Sequence, residues 1–385
     1  MPSSTMKQVE MEWDIPLWMP QELLRSIFKR LPVRTLIKWQ FVCKDWTNLL
    51  NDPSFIQEHL QYSAHENPSL LFCCRTVHNT LGFCTVDSEM QVLPVESLPL
   101  IEFLRGATVI GSINGLVCVK SNYKLISILL WNPAISKFRL LTKEANICVK
   151  MGFGFCAIVK DYKVVIISHH HHGHGCTGLI HQVEVYSLST YSWKKVEFGR
   201  LFDGLEISCD GFSTNGTIFW SGFKEGNDHL LVSYCIATEE FALIPSPIST
   251  PVLSDSLFLR LSVYENKLAL LSHTTSGNFE YTLIDLWVME EGKDNKSEER
   301  WSWTKKYSVK HPYYLLPSSV WRNMIVCHYA EILRERNVPK WIVDGILLVN
   351  LTTNELKRFA FRRNGFDFGI FNYVESLVPV DKIHI

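Results

Sequence analysis

The densest group of chemically capable side chains is the stretch SHHHHGHGC, where His169, His170, His171, His172, His174 and Cys176 crowd together and His181 follows. Neutral imidazoles and a thiolate bind zinc, nickel or copper. A structural metal site also needs each ligand held by hydrogen bonds from surrounding groups, and a run interspersed with glycine offers little such support. The composition predicts a solvated loop between two strands, with no metal and no other cofactor.

A second stretch, GFGFCA from Gly152 to Ala157, satisfies the G-x-G-x-x-A spacing of dinucleotide-binding turns. That motif works only between a strand and a helix N-terminus, which holds the pyrophosphate. Here CAIVKDYKVVIIS follows, which reads as the return strand of a hairpin, so the glycines are expected to let the strand ends bend. The chain has no G-x-S-x-G elbow and no H-E-x-x-H, and no spacing assigns a nucleophile, a base and an orienting group. Trp193, Trp220, Trp301 and Trp303 could stack on a sugar or a base, but such residues more often fill a core. No catalytic residue is assigned, and a non-enzymatic role is expected.

Composition narrows the partners. Among 385 residues, 38 Lys and Arg face 39 Asp and Glu, a net charge of −1 that gives no field to draw in nucleic acid or an anionic membrane. A protein partner is the expectation. The start, MPSSTMKQVEMEWD, lacks a basic segment followed by an apolar run, and no stretch approaches the roughly 18 apolar residues of a membrane span. The 11 cysteines include no C-x-x-C pair. Cys118, Cys148, Cys209, Cys235 and Cys327 sit among apolar neighbours as small core residues do. A reducing compartment, cytoplasm or nucleus, follows, and the sequons at Asn215, Asn295 and Asn350 are expected to be chance matches.

The elements that must position these residues fall into two regions of different period. From Pro20 to about Leu60 the spacing is helical: Leu23, Ile27 and Leu31 recur every fourth residue, with Leu24 and Phe28 beside them. Pro32 breaks the run, and a second helix is expected through Leu36, Trp39, Cys43, Trp46 and Leu50. Asp52-Pro53 closes it, and SFIQEHL reads as a short third helix capped by Ser54. So small a helical block cannot be stable alone.

Beyond residue 68 the pattern changes to short apolar strands separated by Gly, Asn, Asp and Ser. One unit recurs: an apolar strand, a polar turn, then an aromatic with Lys or Arg. Aligned on Cys84, Trp131, Tyr186, Tyr234, Trp287 and Asn350, its copies are about 47 to 63 residues apart, near the roughly 50 of kelch-like repeats. Each copy is a small antiparallel sheet that cannot bury its faces alone, so about six blades of a propeller are expected, a β-sandwich being the alternative. Asn114-Gly115 marks a tight hairpin turn. The charged EEGKDNKSEER reads as a solvated connection.

The helical block resembles an F-box, carried by Pro20, Glu22, Leu23, Ile27, Leu31, Pro32, Val33, Leu36, Val42, Cys43, Lys44, Trp46, Leu49 and Phe55, with Met19 and Phe28 as apolar departures. The remainder resembles the plant F-box-associated domain through GSINGLVCV, LLWNPAISKFRLL, GFGFCAIVKDYKVVIIS, VEVYSLSTYSWKKV, NGTIFW, FALIPSP, LWVME, SWTKKYSV and YVESLV. Departures are Cys156, the lead LIDLWVME and the His-rich insertion after Ser168. The resemblance implies a mixed chain: a disordered N-terminus over 1–14, an all-α F-box over 15–62 and an all-β, propeller-like substrate-binding domain over 68–385. It further implies docking on a Skp-type adaptor that links to a cullin scaffold, with the propeller holding an unknown protein substrate for ubiquitination and degradation. Adaptor contacts are expected from Pro20, Leu23, Ile27, Leu31, Pro32, Val33, Leu36, Val42 and Trp46, some of which could instead pack only within the helical block. The substrate face is expected on one rim of the propeller. A propeller enzyme or a small-ligand or metal-binding module is the competing reading.

Overall fold

Proline decides where the helices begin. In the computed structural model, which describes residues 19–75, 80–95, 106–121, 126–143, 149–169, 180–224, 228–248, 257–275, 281–291, 301–312, 314–335, 338–359 and 368–380, Pro20, Pro32 and Pro53 stand at the starts of three of the four helices. These are α1 (Gln21–Phe28), α2 (Val33–Trp39), α3 (Lys44–Leu50) and α4 (Pro53–Glu66). A fixed φ and a missing N–H cost nothing at such a position. The expected single second helix is two, because the chain turns at Gln40–Cys43 and restarts at Lys44. The last helix is capped by Asp52, whose carboxylate accepts from the Ser54 N–H at 3.0 Å, so the cap lies two residues before the serine expected.

Six antiparallel sheets follow and form the blades of a propeller. Blade 2 is typical, running through Thr108–Ile113, Leu116–Ser121, Ile126–Asn132 and Lys137–Lys143 from the inside outward. Blade 3 (Val149–Cys156, Asp161–His169, Ile180–Ser187, Ser192–Val196), blade 5 (Leu257–Tyr264, Lys267–Thr275, Thr282–Glu291, Trp301–His311) and blade 6 (Tyr314–Trp321, Met324–Glu335, Val338–Asn350, Leu356–Phe359) repeat it. In blade 4 the inner strand is split into Leu205–Ile207 and Phe212–Thr214, both paired with Thr217–Lys224, and Asp228–Cys235 and Glu240–Pro245 complete the sheet. Blade 1 is composite: Ser69–Arg75, Leu81–Val86 and Val92–Pro94 take their inner strand, Phe368–Tyr373, from the other end of the chain. The ring is thereby closed by antiparallel pairing of its first and last strands.

Each blade contributes both faces to the core. Trp220, wholly buried in blade 4, lies over Gly152 and Gly211, where an added Cβ would stand 2.5 Å and 2.7 Å from its ring. The glycines of GFGFCA therefore clear space for a neighbouring blade in mid-strand; they do not bend strand ends. The hairpin expected there is present, Val149–Cys156 pairing with Asp161–His169. Asn114 and Gly115 adopt φ of 52° and 81°, as the hairpin turn requires.

All the inner hairpin turns leave one end of the propeller, and the helical block sits on that proximal end. Leu377 of the C-terminal tail joins Leu24, Phe28, Val33, Leu36, Leu49, Leu50 and Phe55 in one buried cluster, with Ala134 and Ile135 of blade 2 against it. The helices thus borrow the propeller and its tail to complete their core. The tail itself is held by Asn132, whose Nδ2 donates to the carbonyls of Ser376 at 3.0 Å and Val378 at 2.8 Å. The connections between blades leave from the opposite, distal end, as do the links between second and third strands.

Candidate partner-binding surfaces

The first surface is built on α1. Its apolar residues split between two faces: Leu24 and Phe28 are buried, while Leu23 and Ile27, one turn apart, are 56% and 44% exposed. Phe28 packs with Trp39 and Trp46, the three ring centroids lying 5.0 to 5.5 Å apart. This trio brings the end of α1 beside the Gln40–Cys43 turn, where Phe41 is 81% exposed and Val42 57%. Isolated exposed apolar side chains are ordinary, but a group gathered on one small domain marks a contact surface.

The frame behind it is polar and well bonded. Arg25 reaches from α1 to α4, donating to Asp52 and Ser54 at 2.8 Å each and to Glu58 at 2.8 Å. The guanidinium holds the Asp52 carboxyl below its ordinary range. Buried His59 donates from Nε2 to the Leu31 carbonyl at 3.0 Å, pinning the turn before Pro32, and burial keeps its imidazole neutral. The N-terminus of α2 has no cap from its own chain neighbourhood; Glu375 of the C-terminal tail accepts from the Val33 N–H, with Arg34 nearby. Burial raises the Glu375 pKa, and those two contacts only partly offset it.

The second surface is the distal mouth of the central channel, a cavity of about 430 Å³. Inner strands of blades 1 to 5 line it, with Lys150, Cys209, Asp210 and Arg260 supplying its polar atoms and Val109, Leu259 and Phe371 among its apolar ones. Asp210 accepts from Lys120 at 3.0 Å and from the Met151 N–H at 2.8 Å.

Sequence comparison places both regions. A model of the F-box associated beta propeller domain matches residues 69–381, and an F-box-like model matches residues 19–61. The chain belongs to the F-box-associated β-propeller family. An F-box/kelch-repeat protein of Arabidopsis thaliana is 26% identical over 96% of this chain and 95% of its own length. The F-box protein CPR1 of the same plant is 25% identical over 88% of this chain and 84% of its own. Among solved structures, the SapL1 lectin aligns with a TM-score of 0.43 at 9% identity, covering 76% of this chain and 92% of that one.

Within the F-box, the structure sorts the nine residues singled out from the sequence. Pro20, Leu23, Ile27, Pro32 and Val42 are exposed, and Leu31 and Trp46 are half-buried. Val33 and Leu36 are corrections: both are wholly buried in the cluster that also holds Leu377, so they are core where a partner cannot touch them. Sequence reasoning missed Phe41. Its position off the four-residue apolar period was the available signal, since a large aromatic between two helices has no face to bury on. It missed Lys150, Asp210 and Arg260 too, because their convergence depends on ring closure.

Other expectations resolve similarly. Cys118 and Cys327 are buried and Cys235 half-buried, whereas Cys209 is exposed at the channel, a correction; Cys148 lies outside the described residues. No disulfide joins any of the nine described cysteines. Trp220 is core, and Trp193, Trp301 and Trp303 pack on blade clusters at their edges. His169 is buried, while His170–His174 and Cys176 lie outside the described residues, as do residues 1–14, Asn295 and most of EEGKDNKSEER. Among the described residues no three His, Cys, Asp or Glu side chains converge on a metal position, and no helix is long and apolar enough to cross a membrane.

Proposed function

We propose that this F-box protein is the substrate-binding subunit of a Skp–cullin–F-box ubiquitin ligase, active in the cytoplasm or nucleus and itself without a catalytic step. The observation that carries the reading is the opposition of its two surfaces. The exposed apolar group of the F-box is fixed to the proximal end of the propeller, while the interblade connections leave from the distal end. Such a body holds a scaffold on one side and a target on the other, which makes ubiquitin transfer to a target lysine effectively intramolecular.

Leu23, Ile27, Pro32, Phe41 and Val42 are the proposed adaptor contacts, with Pro20, Leu31 and Trp46 at their margin. Each large apolar side chain fully covered by a partner contributes about 1.5–3 kcal/mol. Co-purification with a plant Skp-type adaptor and cullin tests the reading. A stoichiometric complex with the wild type, lost in Ile27→Glu and weakened in Leu31→Ala/Pro32→Ala, is expected. Absence of any complex with folded wild-type chain would overturn the role.

A further inference from the structure

The distal channel mouth holds a charge arrangement that the fold does not explain. Lys120 is neutralised by Asp210, but Lys150 donates only to the Ser208 carbonyl, at 2.8 Å, and Arg260 has no carboxylate partner among the described residues. Neighbouring His328 is kept neutral by burial and by the Arg260 charge, and so adds no positive charge and removes none. Lys150, Arg260 and Asp210 line the cavity, and because Lys120, outside the lining, neutralises Asp210, two positive charges are left in excess there. Its remaining wall is apolar, including Leu81, Ala107, Val109, Leu261 and Phe371.

Cations lining a concave, partly apolar wall attract anions more strongly than the same cations on open surface, because the low dielectric screens them less. A guanidinium and an ammonium with free donor capacity also form charge-assisted hydrogen bonds to carboxylate or phosphate oxygens. At about 430 Å³ the cavity admits one side chain and its hydration, and excludes a folded domain. Its mouth opens on the end from which the interblade connections leave, where a bound polypeptide would lie.

We propose that this mouth is an anion-accepting socket for a single acidic or phosphorylated side chain of a bound polypeptide, with Arg260 and Lys150 as its donors. The proposal rests on the reading of the distal end as the target-bearing face. It adds a chemical requirement to that reading: the target segment must present an anionic tip.

The test uses the full chain co-purified with its adaptor, and measures thermal midpoints with inorganic phosphate against chloride at equal ionic strength. A rise in midpoint that falls by at least half in Arg260→Gln or Lys150→Gln, and persists in Lys305→Gln on the outer strand of blade 5, is expected. No rise, or the same rise in all variants, overturns the socket. A phosphoserine peptide is then set against inorganic phosphate. At least tenfold tighter apparent binding of the peptide supports a polypeptide source; binding no tighter than phosphate overturns that half of the proposal and leaves a free-anion site. Because Arg260→Gln leaves the F-box untouched, the adaptor complex should survive it, so failure here is separable from failure of the receptor role.

Discussion

Lys120 and Asp210 form an ion pair at 3.0 Å although they belong to blades 2 and 4, which are not neighbours in the ring. The lysine passes the inner strand of blade 3, whose Met151 N–H donates to the same carboxylate at 2.8 Å. Gly211 N–H and the Trp220 indole return bonds to the Met151 carbonyl, at 2.6 Å and 3.2 Å. One carboxylate therefore ties three consecutive blades at the channel wall.

Removing that carboxylate leaves a buried ammonium and a buried N–H without partners. Asp210→Ala should cost about 3–5 kcal/mol, read as a lowered urea midpoint of the full chain. Lys120→Met should cost less, since Asp210 is the more exposed partner and water can reach it. Equal losses would contradict this account.

Leu36 and Ile27 separate the buried core from the proposed adaptor surface. Leu36→Ala empties a wholly buried position beside Leu377 and should destabilise by about 2–5 kcal/mol, loosening the F-box from the propeller. Ile27→Glu, on the exposed face of α1, should change stability by under about 0.5 kcal/mol and act only on adaptor capture. Thermal unfolding and a pull-down on the same preparations distinguish them.

The Glu375 carboxylate at the N-terminus of α2 makes the F-box position depend on the far end of the chain. Glu375→Ala removes the acceptor for the Val33 N–H and should cost about 0.5–2 kcal/mol, seen as faster amide exchange across Val33–Trp39. Glu375→Gln keeps an acceptor oxygen and should exchange nearly as slowly as wild type. If both variants match wild type, the cap does not act.

The pH dependence follows from histidines held neutral. Burial lowers the pKa of His59, and lowers those of His229 and His273 to about 4, against 6.5 when unfolded. Below about pH 6.5 the unfolded chain takes up protons that these folded groups refuse, so their stabilisation is complete above that pH and is lost progressively as pH falls towards 4. Glu375, whose pKa is raised, works the other way by losing stability as pH rises above 4.5, but it is one group against five, since burial also lowers the pKa values of His311 and His328. Urea midpoints should therefore fall steadily from pH 7 to pH 5. His273→Phe should flatten the slope, and a level profile would refute the assignment.

The repeat was legible because each blade carries its own local pattern. Cys84, Trp131, Tyr186, Tyr234, Trp287 and Asn350 all fall on the third strand of their blades, and Tyr186 and Tyr234 pack on aromatics of the fourth, Trp193 and Phe241, at 5.2 Å and 4.8 Å. The F-box helices were legible from proline and a four-residue period. What escaped was everything set by distance along the chain. No local pattern announces that Phe368–Tyr373 pairs with Ser69–Arg75, that Glu375 caps α2, or that Val33 and Leu36 turn towards Leu377. Apolar spacing identifies a stripe, but not which side of it meets the rest of the same chain.

The composite first blade has a consequence for how the protein is made. Its inner strand and the tail that seats the F-box are translated after the other five blades, so the nascent chain carries an open ring and an unseated F-box until residues 368–380 have been made. A nonsense or frameshift change after residue 360 would spare most of the chain yet release a product with an unpaired Ser69–Arg75 edge and an exposed helical core. Such a product is prone to aggregate. Synthesis through residues 368–380 is thus itself a checkpoint on whether the chain can assemble with a partner.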